Sequence, residues 1–86
     1  MERLYLVGNV LIPGDAVYLH LQVSDEGGFD YTLYDYESLT LFDGGQVDKP
    51  ETFEAAIQEI KTMHFSADTE LVETSIDILD KILEKN

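Results

Sequence analysis

The chain has 86 residues, no cysteine, and eighteen Asp and Glu against five Lys and Arg, for a formal charge of −13. That length suits one domain with one small core and leaves little room for a deep ligand cavity. The missing cysteines exclude disulfides and thiolate zinc sites, and the charge opposes direct contact with nucleic acid or anionic lipid while favouring basic protein surfaces.

The acidity is uneven. Between Arg3 and Lys49 there is no basic residue, yet the interval carries Asp15, Asp25, Glu26, Asp30, Asp35, Glu37, Asp43 and Asp48. Solubility alone is a sufficient use for such charge. The aromatic and branched aliphatic content argues against disorder. The first residues carry no basic stretch, and Gly8 and Pro13 interrupt the early apolar run, so a signal peptide is not expected. No apolar run approaches the length of a membrane span. The expectation is a soluble cytoplasmic protein that does not engage membranes.

In chain order, residues 4–12 read as extended, bent or split at Gly8-Asn9, with a turn at Pro13-Gly14-Asp15. Val17, Leu19, Leu21 and Val23 alternate with Tyr18, His20 and Gln22, the period of a strand with one apolar face. Asp25-Glu26-Gly27-Gly28 supplies a turn, because glycine accepts positive φ. Phe29, Tyr31 and Leu33 alternating with Asp30, Thr32 and Tyr34 complete an antiparallel hairpin. Asp35-Tyr36-Glu37-Ser38 links this strand to a short one at Leu39-Thr40-Leu41-Phe42, which Asp43-Gly44-Gly45 is expected to end.

The second half is helical in pattern. Asp48 is placed as an N-cap with Pro50 and Glu51 in the first turn, and Phe53, Ala56, Ile57, Ile60 and Met63 form an apolar stripe. A second helix is expected from about Asp68, with a stripe of Val72, Ile76, Leu79 and Leu83. Thr74-Ser75-Ile76-Asp77 offers a later start, which leaves residues 70–73 extended. Together these elements predict a single α+β domain over residues 1–86, a three- to four-stranded antiparallel sheet followed by two helices packed on one face.

If the helices cover Val17, Leu19, Leu21, Tyr31 and Leu33, the other face presents Tyr18, His20, Thr32 and Tyr34, with Asp30 and Asp35 at its rim and Tyr5, Thr40 and Phe42 as further members. Tyrosine gives a large contact area at low entropic cost, so these residues are the candidate interaction surface. Plain cross-strand aromatic pairing, worth roughly 0.2–1 kcal/mol per pair, explains the same pattern without a partner.

His20 and His64 are the only histidines, and no HxxxH or HExxH pattern joins them. A helix C-terminus is a favourable place for an imidazolium, which accounts for His64 without a functional role. Residues 43–48 lack the oxygen ligands and closing Glu of a calcium loop. Neither glycine pair has the form of a phosphate loop, and no serine sits in a nucleophile elbow. No catalytic residue, metal or cofactor is therefore assigned, and an enzyme is not expected.

The segment Gly28-Phe29-Asp30-Tyr31-Thr32-Leu33-Tyr34-Asp35, followed by Leu41-Phe42-Asp43-Gly44-Gly45-Gln46-Val47-Asp48 and an amphipathic helix, resembles small domains on conjugative transposons and phages of gut Firmicutes. These domains stand alone or lie within large polyvalent proteins. The resemblance covers about residues 28–62. It implies a mobile-element accessory protein of the bacterial cytoplasm and brings no catalytic residue with it. With the charge, it leads to a non-enzymatic acidic module that binds a basic host protein by presenting a DNA-like negative surface. The alternative is a structural docking module, or a homodimer through the tyrosine-rich face.

Overall fold

The computed structural model describes residues 1–8, 16–66 and 68–86. Its elements run β1 (Glu2–Val7), β2 (Val17–Val23), β3 (Phe29–Asp35), β4 (Leu41–Val47), α1 (Phe53–His64), β5 (Leu71–Thr74) and α2 (Ile78–Lys85). The strands form one sheet in the order β4-β3-β2-β1-β5, and every neighbouring pair is antiparallel. The chain leaves the sheet at the β4 edge and re-enters at the β5 edge, so α1 crosses one whole face between them.

Strand alternation decides what α1 covers. Tyr5 and Val7 of β1, Val17, Leu19 and Leu21 of β2, Phe29, Tyr31 and Leu33 of β3, and Val47 of β4 are buried together with Phe53, Ala56, Ile60 and Phe65. Each large apolar side chain taken from water here stabilises the fold by about 1.5–3 kcal/mol. The β2–β3 hairpin forms in the expected register, Leu19 opposite Leu33. Gly27 and Gly28 of its turn have φ of 98° and 72°, angles that an L side chain adopts only with strain.

The α+β class stands, but its finer layout differs from the expectation. The sheet has a fifth strand, and α2 packs on the face opposite α1: Leu79 and Ile82 lie against Leu4 and Tyr34, with Tyr18, Leu39 and Ile78 half-buried beside them. α1, about 18 Å long at 1.5 Å per residue, already occupies the first face. The second apolar row finds its cover in α2.

Local boundaries moved for equally concrete reasons. Residues 71–74 are a strand rather than the opening of a helix from Asp68, because the exposed edge of β1 takes them as a partner, Val7 opposite Leu71 and Leu4 opposite Thr74. Residues 70–73 thus belong to the extended alternative, but the helix starts later than the Thr74 capping box, at Ile78 after Asp77, and the Ser75 hydroxyl accepts from the Asp77 amide at 3.3 Å just before it. The α1 cap is Thr52, not Asp48: its hydroxyl accepts from the Ala55 amide at 3.1 Å. β4 runs through Gly44 and Gly45 instead of ending there. A Cβ on Gly45 would stand 2.9 Å from the Tyr31 phenol oxygen, so the glycine lets that ring lie over the strand. Tyr5, expected on the outer face, points into the α1 layer, where its hydroxyl accepts from Arg3 Nη1 at 3.4 Å. The bend at Asn9 and the turn at Pro13-Gly14-Asp15 lie outside the described residues.

Candidate interaction surface

On the α2 side the register lays side chains in three rows. Leu6, Tyr18, Tyr34 and Leu41 form one, Leu4, His20, Thr32 and Gly44 the next, and Glu2, Gln22, Asp30 and Gln46 the last. α2 has only eight residues and covers Tyr18 and Tyr34 of the first row and Leu4 of the second. Tyr34 is left 6% exposed, and Tyr18 is half-buried with its ring 5.4 Å from that of Tyr36. Burial, with the neighbouring Tyr36 phenol adding to it, raises the Tyr18 pKa. Every residue of the last row is exposed.

Of the six candidate residues, the fold brings His20, Thr32 and Asp30 to the open end of this face. His20 Nε2 lies 2.6 Å from Glu2 Oε1, and Thr32 is half-buried between His20 and Gly44. Asp30 has no ion-pair partner among the described residues. Tyr18 and Tyr34 are separated from them by their place under α2.

Asp35 serves the β3–β4 turn. Its Oδ2 accepts from the Ser38 amide at 2.8 Å, the Ser38 hydroxyl at 2.9 Å and the Glu37 amide at 3.1 Å. The Ser38 amide bond, the largest cause, holds its carboxyl below the usual carboxylate range.

The open end continues onto β4, an edge strand paired on one side only. Its pairing with β3 is irregular between Leu33 and Tyr34, where Asp43 and Leu41 are the partners and Phe42 is the extra residue. Leu41 is 56% exposed and Phe42 46%. They border a shallow depression of about 580 Å³, whose remaining walls are Asp30, Tyr31, Thr32 and residues 43–45. Two N–H groups of this strand are engaged by side chains: Leu41 donates to Asn86 Oδ1 at 2.9 Å and Gly44 to Asp43 Oδ1 at 2.8 Å. Such capping blunts an edge against the addition of another strand.

One arrangement was not anticipated. The Tyr31 hydroxyl lies 2.6 Å from His64 Nε2, and His64 Nδ1 lies 3.5 Å from Asp43 Oδ2. The three residues come from β3, β4 and the last turn of α1, so no sequence spacing advertised them. Both imidazole nitrogens face protein partners and Tyr31 is buried. The line therefore acts as a polar tie between α1 and the sheet. Burial raises the Tyr31 pKa, and the Asp43 charge adds to it. Among the described residues, no group of three or more His, Asp and Glu could hold a metal ion, and no helix is long and apolar enough to cross a membrane.

The model of one family, the large polyvalent protein-associated domain 16, matches residues 2–86. The chain belongs to that family. The match runs from β1 to α2, so the polyvalent-protein domain includes the first strands and the last helix as well as the segment over 28–62. No curated protein and no solved structure matches the chain.

Proposed function

We propose that this polyvalent protein-associated domain is a non-enzymatic acidic binding module, a mobile-element accessory protein that engages a basic host protein in the bacterial cytoplasm. One observation carries the reading. Every described carboxylate except that of Asp35 is exposed, and the only Lys or Arg ion pair among the described residues is Arg3 with Glu54 at 3.7 Å. The acid charge is therefore left almost unneutralised by the chain itself. A surface of this kind raises the encounter rate with basic partners and disfavours nucleic acid. Membership of a family associated with large polyvalent proteins agrees with an accessory role. The shared negative charge works against a homodimer.

Affinity capture from host lysate at about 0.1 M and about 1 M salt tests the proposal, because the screening length falls from about 10 Å to about 3 Å across that range. The expected result is a basic protein retained at low salt, lost at high salt, and bound by the purified domain alone. Partners indifferent to salt would count against it.

A further inference from the structure

We propose that the depression beside β4 is the contact point for an extended partner segment, with an apolar residue seated on Leu41 and Phe42 and a Lys or Arg placed against Asp30. The proposal rests on the reading of the domain as a binder of basic proteins and names where and how that binding occurs.

Three observations converge. The first is apolar exposure: Leu41 and Phe42 are adjacent in sequence, both about half exposed, and together border the depression. Most other exposed apolar side chains, such as Met63 and Val72, have no exposed apolar neighbour in sequence. Such side chains scattered singly need no explanation, whereas an adjacent pair bordering a depression is a candidate contact.

The second is charge. The depression is lined by Asp30 and Asp43 and by no basic side chain. Asp43 already serves His64 and the Gly44 amide, whereas Asp30 has no ion-pair partner among the described residues. A partner cation would meet an uncommitted carboxylate at one end of an apolar strip.

The third is shape. Thr32 and Gly44 face each other between Phe42 and Asp30, and Gly44 has no side chain to fill the space above them. A Cβ there would lie 3.0 Å from the Tyr31 carbonyl oxygen, so the strand pairing itself keeps the position small. A lysine or arginine stem fits along such a strip, its methylenes on apolar surface and its charge at the far end.

The mode is side-chain capture from the face and not strand addition at the edge. Strand addition needs free N–H and C=O groups along the edge, and the Leu41 and Gly44 amides are already held by Asn86 and Asp43.

The test is an amide-shift titration of the full chain with three capped hexapeptides, alternating Leu and Arg, Ser and Arg, and Leu and Glu. The Leu/Arg peptide is expected to bind tightest and to move the amides of Thr32 and residues 41–45. Phe42→Ser should weaken it about tenfold, the loss of one well-placed apolar anchor. Asp30→Asn should weaken it several times more than Asp25→Asn, which removes the same charge from the neighbouring turn. Equal losses for Asp30→Asn and Asp25→Asn, with shifts spread over both helices, would overturn the docking site and leave a diffuse acidic binder. Binding of Leu/Glu as tight as Leu/Arg would instead remove the basic-partner reading itself.

Discussion

Beneath α1 the sheet buries a continuous layer from Val7 and Val17 through Leu19, Leu21 and Leu33 to Val47, closed by Phe53, Ala56 and Ile60. Beneath α2 it buries, among the described residues, only Leu4 and Tyr34 against Leu79 and Ile82, with Tyr18, Leu39 and Ile78 at the margin. The same five strands thus carry a full core on one side and a partial one on the other. The α1 side is where folding free energy is concentrated. The α2 side is cover over part of a face, and the uncovered remainder is where this domain has polar and apolar groups to spare. On the proposed reading, most of the stability lies on one face of the sheet and recognition begins on the other.

The largest test of that contrast is paired truncation. Ile60→Ala, in the α1 layer, is expected to cost about 3–5 kcal/mol, and Ile82→Ala, under α2, about 2–3 kcal/mol, because the smaller layer collapses more readily around the cavity. Urea unfolding measures both. Hydrogen exchange sharpens the comparison: Ile82→Ala should expose α2 amides before the sheet opens, whereas Ile60→Ala should lower protection everywhere. Equal losses with one common opening would mean that the two layers are a single cooperative unit.

A smaller effect should follow from Asn86→Ala. The Asn86 amide donates to the Leu39 carbonyl at 2.6 Å and the Ile82 carbonyl at 2.8 Å, and its oxygen accepts from Leu41. It therefore pins the end of α2 to the β3–β4 connection. Its loss is expected to cost about 1–2 kcal/mol, of the order of one or two net hydrogen bonds, and to loosen α2 with little effect on α1. Thr52→Ala provides the matching change on the other face: loss of the α1 cap should cost about 1 kcal/mol.

The smallest effect at neutral pH concerns Asp35, which belongs to neither layer. Its pKa is lowered by hydrogen bonds from Ser38 and Glu37, so the folded state favours the ionised form. That contribution is complete above the unfolded carboxyl pKa of about 3.9 and is lost as pH falls through the lower folded value. Asp35→Asn should therefore flatten the acid limb of the stability curve, measured by thermal unfolding between neutral and strongly acidic pH. An unchanged limb would mean that the turn does not hold the carboxylate.

Much of the first face was legible in the chain. The alternation of Val17, Leu19 and Leu21 with Tyr18 and His20, and of Phe29, Tyr31 and Leu33 with Asp30 and Thr32, gives strands, hairpin and buried row together, since a period of two admits no other regular element. The stripe through Phe53, Ala56 and Ile60 likewise gives α1. The short β5 was less legible, because four residues carry too little periodicity to outweigh a plausible helix, and only the free edge of β1 selects the strand. Of the candidate surface, Asp30 is exposed, whereas His20 and Thr32 are half-buried beside it. The burial of Tyr34 was not legible, because no local pattern tells which face a terminal helix will choose. The depression beside β4 was hidden for a related reason: Gly44-Gly45 reads as a terminator until pairing with β3 carries the strand through it.

By itself, then, the sequence determined the charge, the class of fold, the hairpin and the inner face, because these follow from composition and from the periods of 2 and 3.6 residues. Tertiary structure alone decided the pairing of β5 with β1, the placing of α2 opposite α1, and the meeting of Tyr31, Asp43 and His64. Those outcomes depend on long-range closure, in which a free strand edge and a second apolar row compete for whichever segment can reach them.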